Sequence, residues 1–269
     1  MADANNSITN EWEGKYLIKI SPGVYDLGGG VELKRNVDIE GSGPENTFLT
    51  NGGFSFTYWA IETNAIKDLT LYGAIIAHNS NLVISNLIIY SNGGHGIYGE
   101  GMKSVNLNNV IIYNSEGLGL GLYVVNEVPQ HASIINTIIY AGLPLRFAET
   151  SGIVNIESSK FVSNSPGNFG MEIFCVNPYY PLTVNINGST FDLAGGSRTA
   201  VLSRDQYASA NISNSKIYLK DGNGNLDPNA IVGNSPVVKI ANTLISGGQK
   251  NTYKSIFNYD ENYTPLANQ

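Results

Sequence analysis

Cysteine is almost absent: Cys175 is the only one in 269 residues. An internal disulfide is therefore excluded. The apolar run Glu172-Ile173-Phe174-Cys175-Val176 points to a buried thiol rather than a nucleophile. Charge is also scarce, at 14% of residues against roughly 25% in ordinary soluble domains. The formal net charge of −7 offers no electrostatic footprint for nucleic acid or an anionic lipid surface. No apolar run reaches the about 18 residues that a membrane-spanning helix needs, so no membrane insertion is expected. Residues 1–13 have neither the basic head nor the apolar stretch of a signal peptide and read as a short N-terminal extension. No 3.6-residue periodicity persists long enough to suggest a helix. No aspartate occurs between Asp68 and Asp192, and His78 and His131 lack ligand spacing. Neither a metal site nor a cofactor is expected.

What is present is turn-forming and β-forming: 30 Gly, 16 Tyr, and abundant Asn, Ser and Ile. These residues repeat. Eight segments carry an aliphatic residue, any residue, then a small polar residue at a bend. The bend residues are Asp68, Asn86, Asn109, Asn136, Ser158, Gly188, Asn214 and Asn242, spaced 18, 23, 27, 22, 30, 26 and 28 apart. Two residues before the bend all eight are Ile or Leu, among them Ile84, Leu107, Ile134, Ile156, Ile186 and Ile212. Three residues after it all eight are apolar, from Leu71 to Ile245. Even spacing within each arm is the period of strands. A unit of about 25 residues cannot bury its own apolar face, whereas stacked units can. Asn at five of eight bends suggests a side-chain amide ladder between coils. The segments Leu118 to Val125, Leu143 to Phe147 and Phe169 to Val176 fit a third strand per coil.

The opening coil runs Ile18-Lys19-Ile20-Ser21-Pro22-Gly23-Val24-Tyr25, then Val37-Asp38-Ile39-Glu40-Gly41-Ser42-Gly43. It resembles the first coil of the pectate-lyase-like (pectin lyase fold) β-helix superfamily, and the later repeats resemble its generic coils. The resemblance implies an all-β, right-handed parallel β-helix of about nine to ten coils. That domain would span residues 14–250, with 251–269 as a tail and possible cap. The superfamily holds lyases, hydrolases, tailspikes, adhesins and non-catalytic surface proteins, so the fold leaves the activity open.

Candidate chemistry is thin. Gly94-His95-Gly96-Ile97 is similar to a segment of polygalacturonase-type hydrolases, but the aspartates such enzymes place on neighbouring coils are missing, and a turn entering a strand explains it as well. Arg146 with Glu149, and Arg204 with Asp205, are the charged pairs nearest the third strand. Above this background stands a stripe four residues after the bend: Tyr72, Tyr90, Tyr113 and Tyr140. Alternation aims it outward, together with Ile88, Ile111 and Ile138 at the second place after the bend. Such a stripe suits the C–H faces of sugars, or else a covering tail or partner chain. The expected protein is an extracellular or cell-surface module that binds polysaccharide without cleaving it. The alternatives are a polysaccharide lyase or glycoside hydrolase with an atypical site, and a trimeric tailspike or adhesin. A monomer is expected for the first two classes and a trimer for the third.

Overall fold

The bend residue shapes each coil. The computed structural model describes residues 2–9, 14–56, 63–123, 130–149, 151–163, 169–175, 178–179, 181–194, 199–233, 237–248, 254–256 and 258–267. In it all eight bend residues are left-handed, with φ of 60° at Asp68 and Gly188, 55° at Asn109 and 46–50° at the other five. Only Gly enters this region without strain, and Asn and Asp enter it more readily than other side chains. The repeat position therefore selects residues for the backbone they tolerate. One left-handed residue turns the chain while leaving strands on either side.

Three faces of parallel strands result. The first begins with Tyr16–Lys19 beside Val37–Glu40 and continues to Val238–Ala241 and Lys254–Ile256. The second begins with Gly23–Asp26 beside Thr47–Thr50 and reaches Leu244–Ser246. The third begins with Val31–Glu32 beside Phe54–Phe56 and reaches Ile231–Gly233. Several strands run through their bends, and Ser104–Tyr123 contributes to all three faces. The described residues form a parallel β-solenoid, the architecture that the sequence resemblance implied. Val124 and Val125, and Val176, which belong to the expected third strands, lie outside the described residues.

The expected aliphatic stack is continuous. Ile84, Leu107, Ile134, Ile156, Ile186 and Ile212 are paired in register from coil to coil, and each is buried. A second inward row runs Leu71, Ile89, Ile112, Ile139, Phe161, Phe191, Ile217 and Ile245. Asn64, four residues before the bend at Asp68, is buried with its amide donating to the Val37 and Lys34 carbonyls at 2.9 and 3.3 Å. Two bonds from its amide nitrogen offset the cost of that burial.

The amide ladder forms in two pieces. Asn86 donates to Asp68 at 2.7 Å and Asn109 to Asn86 at 3.0 Å. Near the other end Asn242 donates to Asn214 at 2.6 Å, and Asn214 to Asn187 rather than to the neighbouring bend. Ser158 and Gly188 carry no amide, so a single unbroken ladder at this position is corrected. The sequence reading missed a second device, one residue past the bend. There Leu69, Leu87 and Val110 give way to Thr137, Ser159, Ser189, Ser215 and Thr243, all buried. Each hydroxyl donates to the carbonyl two residues back, at 2.6–3.1 Å. The next backbone N–H in the stack donates to it in turn: Thr137 N–H to Ser159, Ser159 to Ser189, Ser189 to Ser215 and Ser215 to Thr243.

Described residues near each terminus bond to the neighbouring coil. Among the described residues of the 1–13 extension, Ala2–Ser7 form a short helix. Its Asn5 amide donates to the Glu32 carbonyl at 2.9 Å and accepts from the Lys34 N–H at 3.1 Å. At the far end buried Asn258 accepts from the Thr243 N–H at 2.9 Å and donates to the Ile240 carbonyl at 2.8 Å, closing the hydroxyl ladder. Tyr253 and Phe257 of the tail lie outside the described residues. Cys175 is buried, as its apolar run suggested.

Candidate functional site: a tyrosine-walled cleft and an adjoining charged face

Strand alternation decides which side chains reach the surface. Past each left-handed bend the first and third residues turn inward and the second and fourth outward. Tyr72, Tyr90, Tyr113 and Tyr140 consequently pair in register, as do Ile88, Ile111 and Ile138. The tyrosine rings lie nearly parallel: centroids are 4.9, 4.9 and 5.0 Å apart, with interplanar angles of 14°, 8° and 5°. The row is open, with Tyr72 44%, Tyr90 40% and Tyr113 36% exposed, while the three isoleucines are half-buried. The described part of the C-terminal tail pairs instead with the last coil, at Leu244 and Tyr259.

The stacking decides which part of each ring is presented. The rings spend their faces on one another, so the row presents ring edges and hydroxyls. Only at its ends does a ring face lack a tyrosine neighbour. Burial, and then the neighbouring Tyr140 and Tyr90, push the Tyr113 hydroxyl above its ordinary pKa, so it is a donor at neutral pH.

Beside the row runs a cleft of about 830 Å³, walled by Tyr72, Tyr90 and Tyr113 on one side and by Ile76 and His95 on the other. Its floor includes the turn 91–94, where Gly93 and Gly94 take φ of 77° and 58°. Buried Asn114 fixes the next turn, donating to the Leu118 carbonyl at 3.0 Å and accepting from the Gly117 N–H at 3.1 Å. The cleft crosses three coils and so lies along the solenoid axis.

His95 links the cleft to the third face. Its ring meets Tyr98 edge-on at 4.8 Å and Tyr123 at 6.3 Å, and Tyr98 lies 5.0 Å from Tyr123. Gly121 lies under their close approach: a Cβ there would come within 2.7 Å of Leu118, 2.9 Å of Tyr123 and 3.3 Å of His95, so these side chains fill the space over it. Burial, helped by the charge of Arg146, holds His95 below the usual imidazole pKa. Tyr98 is pushed up to about 12 by burial and by Glu100, whose Oε2 accepts from the Tyr98 hydroxyl at 2.9 Å. His78 Nδ1 lies 3.0 Å from the same oxygen.

The expected charged pairs are re-partnered. Arg146 Nε sits 3.0 Å from Glu172 Oε2, and Arg204 donates to the other oxygen of the same carboxylate. Register explains this: Gly121, Arg146 and Glu172 are stacked neighbours at one outward place of the third face. Glu149 instead sits exposed at a left-handed turn, with φ of 54°. Asp205 braces backbone, accepting from the N–H groups of Tyr207 and Ala208 at 2.7 and 2.9 Å and of Cys175 at 2.5 Å. Sequence reasoning missed Tyr98, Tyr123 and Glu172 as one site. The available signal was Glu172 itself, a carboxylate inside an apolar strand.

No protein-family pattern and no curated protein sequence matches the chain. Solved structures do. The catalytic domain of a GH87 α-1,3-glucanase in complex with nigerose superposes with a TM-score of 0.52 at 13% identity. That match covers 90% of this chain and 59% of the glucanase domain. PfbA, a surface adhesin of Streptococcus pneumoniae, covers the whole chain at 11% identity and TM-score 0.48, over 91% of its own length. The likeness is one of fold. This chain spans about three fifths of the glucanase domain, so that enzyme's activity does not transfer with the coils.

Proposed function

We propose that this chain is an extracellular, non-catalytic carbohydrate-binding β-helix that holds a polysaccharide along its axis, in the cleft beside Tyr72, Tyr90 and Tyr113. The observation that carries the reading is the row of open, in-register tyrosines forming one wall of that cleft. An apolar edge next to a line of protonated hydroxyls matches the alternating C–H and O–H surface of a sugar chain. Catalysis by paired carboxylates finds little support at the cleft, because its named walls are Tyr, Ile and His.

The test is retention on a panel of plant, algal and bacterial polysaccharides, scored together with new reducing and unsaturated ends. Wild type should be retained without releasing ends. The triple variant Tyr72→Ala, Tyr90→Ala, Tyr113→Ala should lose at least tenfold in affinity while remaining folded. Retention unchanged in that variant would remove the cleft from the reading. Release of ends would replace a binding module with an enzyme, and a change of molecular size in the variant would identify the row as a subunit interface.

A further inference from the structure

We propose that the third face carries a second subsite, which binds a carboxylate- or sulfate-bearing sugar through Arg146 and Arg204 against the rings of Tyr98 and Tyr123. This rests on the polysaccharide reading and adds to it the charge of the ligand. The two guanidiniums share one carboxylate. The Glu172 side chain is only 4% exposed, whereas those of Arg146 and Arg204 are 42% and 52% exposed. Glu172 therefore acts as a buried counter-ion that neutralises one positive charge, hydrogen-bonded to Arg204 and ion-paired with Arg146 at 3.0 Å. Each guanidinium has five N–H donors and turns its Nε inward, leaving the fork that suits a planar anion. Two guanidiniums thus share one carboxylate at this spot, on a chain of net −7. Asp205, next to Arg204 in sequence, spends its carboxylate on the N–H groups of Cys175, Tyr207 and Ala208, and Glu100 is held by Tyr98 and His78. Glu100 pairs in register with Tyr123, and Tyr123 with Ala148 of the Arg146 strand, so it lies two strands and roughly 10 Å away along the axis.

The aromatic half is assembled as well. Arg146 lies 5.8 Å from the centre of the Tyr123 ring, which orients the cation without burying it. Tyr98 and Tyr123 lie with their ring centres 5.0 Å apart on the strands before that of Arg146. Because His95 borders both the cleft and these rings, a chain lying in the cleft can place a substituent on the third face.

The experiment compares matched probes on wild type: a polyuronate and the same polymer with its carboxylates reduced, and dextran sulfate beside dextran. At least one charged polymer should bind ten or more times tighter than its neutral partner, with a preference that shrinks as salt rises. The two pairs separate carboxylate from sulfate. Variants then test the residues. Replacing Arg146, Glu172 and Arg204 together by Gln avoids stranding a buried carboxylate, and should abolish the charge preference while leaving neutral-polymer binding unchanged. Glu172→Gln alone should increase the preference severalfold, a sign that a purely structural ion pair would not produce. Equal affinity for charged and neutral partners, or a preference that survives the triple Gln variant, overturns the subsite while leaving the cleft standing. Failure to bind any of the four polymers, or any polymer of the wider panel, overturns both.

Discussion

Replacing Asn109 separates what the bend asks of the backbone from what it asks of the side chain. Asn109 has φ of 55° and donates to Asn86 at 3.0 Å. Alanine at this place meets the left-handed penalty, roughly 1–2 kcal/mol for an L residue with a Cβ. It also loses an exposed hydrogen bond contributing roughly 0.5 kcal/mol, giving a cost of about 2 kcal/mol. Glycine loses the same bond but takes the conformation freely, and its extra freedom in the unfolded chain costs roughly 0.5–1 kcal/mol. Asn109→Gly should therefore be the milder change, by up to about 1 kcal/mol. At Asn106, an exposed residue in the same strand with no left-handed φ, the order should invert, with glycine worse than alanine by roughly 0.5–1 kcal/mol. Urea unfolding followed by circular dichroism and tyrosine fluorescence reads both pairs as midpoint shifts. If alanine proves as mild as glycine at 109, or if the two positions rank alike, the bend does not select its residue through φ. The explanation offered for eight repeats would then fail.

Ile134→Asp should abolish cooperative folding, because it sets a lone carboxylate in the middle of the buried ladder, whereas Ile134→Val should cost only about 1 kcal/mol by the same unfolding measurement. Ser189→Ala should cost roughly 1–3 kcal/mol by stranding the buried Ser159 N–H, and Ser189→Thr should recover most of it, since Thr137 and Thr243 hold the same place. His95 has a folded pKa below its unfolded value, so between the two the unfolded chain binds more protons and stability falls as pH falls. Melting temperature measured from pH 7.5 to 5 should decline less in His95→Gln than in wild type, and parallel profiles would refute the assignment.

The coil was legible because one position carries two constraints at once. The left-handed bend restricts its residue to Asn, Asp, Gly or Ser, and the flanking strand parity fixes apolar residues two before and three after it. A pattern with both constraints survives spacings that vary from 18 to 30 residues. The hydroxyl ladder was not legible, although it occupies the next position, because Ser and Thr beside a bend read as ordinary turn residues. Their burial depends on the neighbouring coil supplying an N–H, and that is a fact about stacking.

The same distinction separates the two halves of the candidate site. The tyrosine row lies at a fixed offset from the bend, so periodicity found it and alternation aimed it outward. Periodicity did not show that in-register rings nearly 5 Å apart must lean on one another, leaving edges and hydroxyls for a ligand. The third face has no such offset, because the linkers leading to it differ in length and each strand begins at its own distance from the bend. Arg146 accordingly seemed to belong with Glu149, three residues away in sequence. In the solenoid the neighbour that matters is one coil away: 26 residues separate Arg146 from Glu172 in register. A charge on a β-helix finds its partner across the stack before it finds one along the chain. For that reason Glu172, buried in an apolar strand, locates the arginines more reliably than the acidic residues beside them in sequence.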